Sequence, residues 1–248
     1  MAALLLLAGV LCAVGAVVLG RRSPTGAGLR PAPEPVPARR EQRGVLAFLG
    51  AHRWLRRSFG AVAVLLLVGA AVAASYPFLT DRYNESIQKR LRREFVSGKT
   101  EEAYRLRRIE VGDSLTRLRI PAIDVDTIVV EGTTEDALRA GAGHYPETPL
   151  PCEGGNVAIA GHRVTFGKPF NRLGELHVGQ EISLETPIGA CTYRIVEGPF
   201  EVQPGEVWVA DPNAPKPMLT LTTCHPQGSA RQRLVVRAER VSVRGEAR

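Results

Sequence analysis

Residues 218–236 read Met-Leu-Thr-Leu-Thr-Thr-Cys-His-Pro-Gln-Gly-Ser-Ala-Arg-Gln-Arg-Leu-Val-Val. The run Met218–Thr223 is strand-like, and a second strand opens at Arg233-Leu-Val-Val. Between them His225–Gln232 carries the Pro, Gly and Ser of a loop, so the segment predicts two antiparallel strands. Cys224 closes the first strand and Arg233 opens the second. The pairing therefore places both at one end, able to face one pocket. A guanidinium there stabilises a neighbouring thiolate and donates hydrogen bonds to a developing oxyanion. The plain alternative for Arg233 is a strand-end surface arginine.

Outward from this segment the same character persists. From Ile109 onward, further short β-rich runs are separated by Gly, Pro and Asp. They are Leu118–Ile120, Thr127–Glu131, Asn156–Ala160, Glu181–Glu185, Cys191–Glu197, Glu206–Val209 and Leu234–Val243. About eight short strands with little helix predict an all-β barrel or sandwich. Residues 109–245 are enough to bury a core of their own. Upstream, 80–108 reads as a helical stalk: charged Arg82, Glu85, Lys89, Arg92 and Arg93 alternate with Ile87, Leu91 and Phe95. The pattern breaks at Gly98.

Two apolar stretches precede the stalk, at 1–20 and 58–79. Met1–Gly20 is uncharged apart from its amine, and Phe59–Leu79 has no ionisable group except Tyr76. At 1.5 Å per residue each spans a hydrocarbon core of about 30 Å, and soluble helices of that length rarely lack a polar face. The first lacks the basic n-region and cleavage site of a signal peptide, so both are predicted transmembrane helices. The chain carries 32 Lys/Arg against 25 Asp/Glu, a formal charge of +7. Nine arginines and two glutamates lie within 21–57, leaving 23 basic and 23 acidic residues elsewhere. All the net charge thus sits in the basic, Pro-rich loop between the spans. Phosphate binding needs basic charge on the folded surface itself, so nucleic acid is excluded as a partner. Lys/Arg bias places that loop in the cytoplasm and residues beyond Leu79 outside. Trp54 and Tyr76 fit as interfacial anchors. Five basic residues between Arg82 and Arg93 run against the bias on the outer side. The stretch PAPEPVP, 31–37, favours polyproline II and reads as a solvated spacer.

Of four cysteines, Cys12 falls in the first span, while Cys152, Cys191 and Cys224 lie outside, where disulfides persist. Three is odd, so at least one stays free or pairs between chains. A free thiol there is either a tolerated buried residue or a nucleophile, and a nucleophile needs a proton partner. His52 is cytoplasmic. His225 adjoins Cys224, and neighbours in extended chain point to opposite faces. His144 and His177 sit in turn-like contexts. His162 follows the apolar run Val157–Ala160 and a glycine, a strand-end position from which a side chain can lean over a barrel mouth. A structural histidine is the alternative there.

The segment Thr220-Leu221-Thr222-Thr223-Cys224 resembles the TLxTC signature of sortases, membrane-anchored cysteine transpeptidases of Gram-positive bacteria. Gly143-His144-Tyr145-Pro146 and Gly154-Gly155-Asn156-Val157-Ala158-Ile159-Ala160-Gly161-His162-Arg163 resemble the segment that bears the family's histidine. Arg233 stands nine residues after the cysteine, where the family's active-site arginine falls. The likeness covers about Ile109 to Val243. Cys224-His225-Pro226 and the high Arg and Ala usage are most similar to class E of actinobacteria. The paired N-terminal spans, Cys152 and Cys191 depart from the common family pattern.

The resemblance implies a closed, sortase-like β-barrel with short helices. It implies Cys224 as the nucleophile that attacks the Thr–Gly carbonyl of a C-terminal LAXTG/LPXTG-like sorting signal. His162 is implied as proton donor and acceptor, and Arg233 as holder of the substrate carbonyl and oxyanion. An amine of a cell-wall precursor or a pilin then resolves the acyl-thioester. A thioester conserves the energy of the broken peptide bond, so no cofactor or metal is expected. Cys152 and Cys191 are expected to pair, which leaves Cys224 free; two separate reduced cysteines are the alternative. The rivals are another exported cysteine transpeptidase or peptidase, and a non-catalytic membrane-tethered binding barrel. The first is disfavoured because an L,D-transpeptidase cysteine follows Gly, whereas Thr223 stands here. A zinc site from Cys224, His225 and His162 lacks any CxxC or HxxxH pair.

Overall fold

The structure, a computed structural model, describes residues 53–245. The first predicted span, PAPEPVP, Cys12 and His52 lie outside the described residues.

Helix α1 runs from Arg53 to Phe95 and joins the second predicted span to the stalk without a break. Its part from Phe59 to Ala74 is exposed throughout, with Leu65, Leu66 and Leu67 each about 70% accessible. One helix among the described residues, Arg57–Phe95, is thus long and apolar enough to cross a membrane, and none of its most apolar window is buried in the protein. The apolar face changes character beyond Leu79. Ile87, Leu91 and Phe95, spaced four apart on one face, pack on Ile128, Val130 and Ala137. Burying an aliphatic or aromatic side chain this way stabilises by about 2 kcal/mol. Arg92 and Arg93 in the last turn complement the helix dipole. A short helix α2, Gly98–Arg105, follows; Tyr104 anchors it by donating to the Pro151 carbonyl at 2.8 Å.

Eight strands then close a barrel: β1 (Ser114–Ile120), β2 (Val125–Glu131), β3 (Ala142–His144), β4 (Asn156–Ala160), β5 (Glu181–Thr186), β6 (Gly189–Val202), β7 (Met218–His225) and β8 (Gln232–Gly245). Helix α3, Glu135–Ala140, lies between β2 and β3, its first turn capped by Thr134 Oγ1 accepting from Ala137 N. The order around the barrel is β1-β2-β3-β4-β7-β8-β6-β5. Only β2–β3 and β4–β7 pair in parallel. Leu118, Val129, Val157, Ile159, Leu219, Leu221, Leu234 and Val236 fill the interior. On β7 the odd-numbered residues Leu219 and Leu221 point in, so Thr220, Thr222 and Cys224 point out. Strand β2 is buried on both faces, Val129 inward and Ile128 and Val130 beneath α1.

Seven of the predicted runs are strands. Glu206–Val209 is not: Val207–Ala210 forms a 3-10 turn after Pro204-Gly205, leaving Val207 78% exposed. Strand β3 was not expected, because three residues, Ala-Gly-His, are too few to show a period. Gly98 does not end the helical stretch but opens α2. Cys152 and Cys191 form a disulfide with Cα atoms 5.5 Å apart, and Cys224 is free.

Candidate active site

Strands β7 and β8 are in register with Cys224 opposite Arg233, and in an antiparallel pair opposite residues share a face. Arg233 in turn lies opposite Val202 of β6. The arginine is steadied by donating Nη1 to the carbonyls of Ala230 and Gln232, both at 3.2 Å. On the other side of β7, the parallel partner β4 matches Ala160 to Thr222. The chain leaves β4 still tied to β7: Gly161 N donates to Thr222 O at 3.0 Å, and Thr223 Oγ1 donates to Gly161 O at 2.7 Å. His162 is the next residue. All three predicted site residues therefore gather at one end of the barrel.

Gly161 is required where it stands, since a Cβ would meet the Phe170 ring at 2.6 Å. His162 is half-buried, and its Nε2 has no hydrogen-bond partner among the described residues. The Phe166 ring covers it at 5.3 Å between centroids. Burial holds the imidazole below its ordinary pKa of 6.5, Glu135 opposes that shift and Arg139 adds to it. The resting state is thus a neutral ring, suited to accept a proton.

Two of the other described histidines, His144 and His225, are occupied. His144 lies in β3 rather than a turn; Nδ1 meets Glu131 Oε2 at 2.8 Å and Nε2 the Pro149 carbonyl at 2.9 Å. His177 is exposed. His225 sits between Arg163 and Glu201: Arg163 Nη1 donates to Nδ1 at 2.6 Å, and Nε2 lies 2.9 Å from Glu201 Oε1. An arginine only donates, so Nδ1 is the acceptor and Nε2 carries the hydrogen. Arg163 also donates to the Cys224 carbonyl at 3.2 Å. Arg163 stood in the family-like segment without a role of its own and Glu201 had no sequence signal, because they and His225 converge from three separate segments.

A cavity of about 530 Å³ opens beside Arg233 and Thr222, between Tyr145 and the Val207–Trp208 turn. Its wall is mostly apolar: Val202 and Val209 line it and cluster with Val235 and Phe200 behind them, and Phe200 stacks on Trp208 of the wall at 6.1 Å. Tyr145 Oη and Thr222 Oγ1 hydrogen-bond at 3.0 Å across it. Buried Asn156 pins the far wall by donating to the carbonyls of Val209 and Asp211 at 3.0 and 3.1 Å. Among the described residues no cluster of His, Cys, Asp or Glu is suited to a metal ion.

An outward-facing cysteine, a covered histidine and an arginine at one barrel end, the arginine lining an apolar groove, agree with the family model that matches residues 118–241, the sortase domain. The chain belongs to the sortase family. It is 35% identical to sortase D of Bacillus subtilis over 136 residues, covering 54% of this chain and 67% of that one. It is 32% identical to sortase SrtE1 of Streptomyces coelicolor over 149 residues, covering 54% of this chain and 42% of that relative. Among solved structures, a Clostridium perfringens sortase D5 transpeptidase matches 63% of this chain and 99% of its own at 31% identity and a TM-score of 0.56. Sortase E1 of Streptomyces coelicolor, solved with a tripeptide in the active site, matches 54% of this chain and 91% of its own at 32% identity and TM-score 0.51. Relatives of both D and E designation stand at similar distance, so likeness alone does not single out a class. Sortases are cysteine transpeptidases, and this sortase's barrel carries a free cysteine at the end of β7.

Proposed function

We propose that this sortase cleaves a C-terminal sorting signal between Thr and Gly through an acyl-thioester on Cys224 and passes the substrate protein to an amine. The observation that carries this is the cross-strand pair of Cys224 and Arg233, set beside the β4 end that bears His162, with Arg233 lining an apolar groove. An extended peptide laid in the groove brings its Thr–Gly carbonyl to Cys224. The Cys224 thiolate attacks that carbon, and Arg233 donates hydrogen bonds to the oxyanion as it forms. His162, having taken up a proton, gives it to the leaving glycine amine; the tetrahedral adduct collapses to the thioester. An incoming amine of a cell-wall precursor or a pilin subunit loses its proton to His162 and attacks the thioester, releasing Cys224.

Cys224-His225-Pro226 and the high Arg and Ala usage, the features most similar to class E, support an LAXTG-like signal over LPXTG. The helix residues 58–79 form the membrane anchor, with 21–57 cytoplasmic and the stalk 80–108 and catalytic domain 109–245 outside. The partners are secreted proteins bearing the signal, the amine acceptor and the membrane itself.

Full-length protein in detergent is incubated with LAXTG and LPXTG peptides, with and without an amine acceptor, beside Cys224→Ala. Mass spectrometry should find Thr–Gly cleavage, an acyl adduct on Cys224, transfer to the amine and preference for LAXTG. If neither peptide is cut and Cys224 ignores a thiol probe at neutral pH, the barrel is a binding module instead.

A further inference from the structure

Helix α1 reaches the active site from behind. Asp81, just past the apolar run, accepts from Gly167 N at 3.0 Å through Oδ1 and from Lys168 Nζ at 2.7 Å through Oδ2. Nearly one turn on, Asn84 is buried and so close to Gly167 that a Cβ there would meet its Oδ1 at 2.2 Å. Asn84 Nδ2 also donates to the carbonyls of Arg139 and Ala140 at 3.2 and 2.9 Å, and Gln88 Nε2 to Ala140 O at 2.9 Å. One helix face, Asp81, Asn84 and Gln88, thus holds two separate segments: the end of α3 and the loop 166–168. Those segments meet at Phe166. The Arg139 guanidinium carbon lies 5.8 Å from its ring centroid, and the same ring covers His162.

The loop cannot hold this shape from its own preferences. Phe166, Gly167 and Lys168 take φ of 50°, 74° and 38°, three successive residues in the left-handed region, two of them bearing side chains. L-residues avoid that region unless surrounding contacts impose it. Asp81 supplies those contacts, an acceptor for one amide and a counter-charge for Lys168.

We propose that Asp81 is a positioning residue for transpeptidation: the docked stalk helix, acting through Gly167, Lys168 and the Phe166 ring, fixes the His162 imidazole at the site. This rests on the assignment of His162 as the proton carrier. The helix segment that follows the apolar run is then part of the active site, and undocking it releases His162 while Cys224 and Arg233 keep their register. The groove is lined by the connection from β6 to β7 together with Thr222 and Arg233, and by no residue of the clamp, so substrate binding stays intact.

The test uses full-length protein in detergent, with kcat, KM and melting temperature measured for Asp81→Ala and, from the loop side, Gly167→Ala. Each should lower kcat about tenfold or more, the scale of a misplaced catalytic group, with KM within twofold and the protein folded. The His162 imidazole titration, followed by NMR, should move up toward the ordinary value as the ring is hydrated. Asp81→Asn, which keeps an oxygen for the Gly167 amide, should recover most of kcat, and Lys89→Ala, on the exposed face, should change nothing. Folded Asp81→Ala and Gly167→Ala variants with kcat within twofold of the parent, or with an unmoved His162 titration, overturn the proposal. His162→Gln separates the two levels. If it is inactive while Asp81→Ala is active, only the clamp fails; if it is fully active, the assignment of His162 itself fails.

Discussion

Cys224 and Arg233 face each other across one ladder, eight residues of β7 paired continuously with β8. His162 stands on no strand; its loop is shaped by Phe170, by Asn171 donating to Arg163 O at 2.8 Å, and by Asp81 some eighty residues upstream. The two halves of the site are thus held by different physics. A ladder distributes its constraint over many equivalent hydrogen bonds, so its end residues tolerate single changes nearby. A left-handed loop held by a few side chains concentrates its constraint, and one substitution releases it.

Experiments can break or sharpen that contrast. The largest effect belongs to the ladder half: Cys224→Ala should lower transpeptidation by at least about four orders of magnitude, as loss of a nucleophile does. Its melting temperature should stay within a few degrees, and a loss of folding instead would show that the ladder end is structurally indispensable. Next, Cys152→Ala with Cys191→Ala removes a cross-link of sequence separation 39 at the opposite end of β6 from Val202. Loop-closure entropy puts the cost near 4 kcal/mol in denaturant unfolding. Below the melting transition kcat should be unchanged, which would show that barrel stability and site geometry separate. Arg233→Ala should lower kcat by roughly a hundredfold to a thousandfold, about 3 kcal/mol. Lysine at 233 should restore only part of it, having no planar fork.

Smaller effects test the join between the halves. Thr223→Val removes the 2.7 Å bond to Gly161 O that ties the β4 exit to β7, at a cost of about 1 kcal/mol. If kcat falls much more than stability does, His162 depends on the ladder as well as on α1. Smallest is a pH effect. Burial holds the His162 pKa below 6.5, so the unfolded chain binds a proton before the folded one does. Stability is fully present above about 6.5 and declines as pH falls toward the lowered value. Melting curves at about pH 7 and about pH 5 should show His162→Gln losing less stability on acidification than the parent. An equal loss in both would place the ring in water rather than under Phe166.

The strands were legible where a run was long enough to show its period, as in Asn156–Ala160 and Met218–Thr223. Strand β3 escaped because its neighbours, not its own three residues, make it a strand. Val207 and Trp208 read as strand by residue type, yet Pro204-Gly205 turns the chain and leaves both at the groove. An odd count of thiols said only that one stays free; the pairing of Cys152 with Cys191 was expected because the resemblance reserves Cys224 as nucleophile, and the structure forms it. Asp81 and Glu201 carried no signal and Arg163 no role of its own, since each acts only through partners distant in the chain.

By itself the sequence determined the all-β character, the long apolar helix and the facing of Cys224 and Arg233. These rest on side-chain period, on length and on the register of a single hairpin, all of which are local. Only the tertiary structure decided that the barrel closes, that His162 loses its water to Phe166, and that α1 reaches the loop behind it. Barrel closure and the reach of α1 depend on pairs as distant as Leu118 with Leu184 and Asp81 with Gly167, and no local propensity encodes a partner at that distance. Phe166 is close to His162 in the chain, yet it covers the ring only in a left-handed loop that distant Asp81 holds.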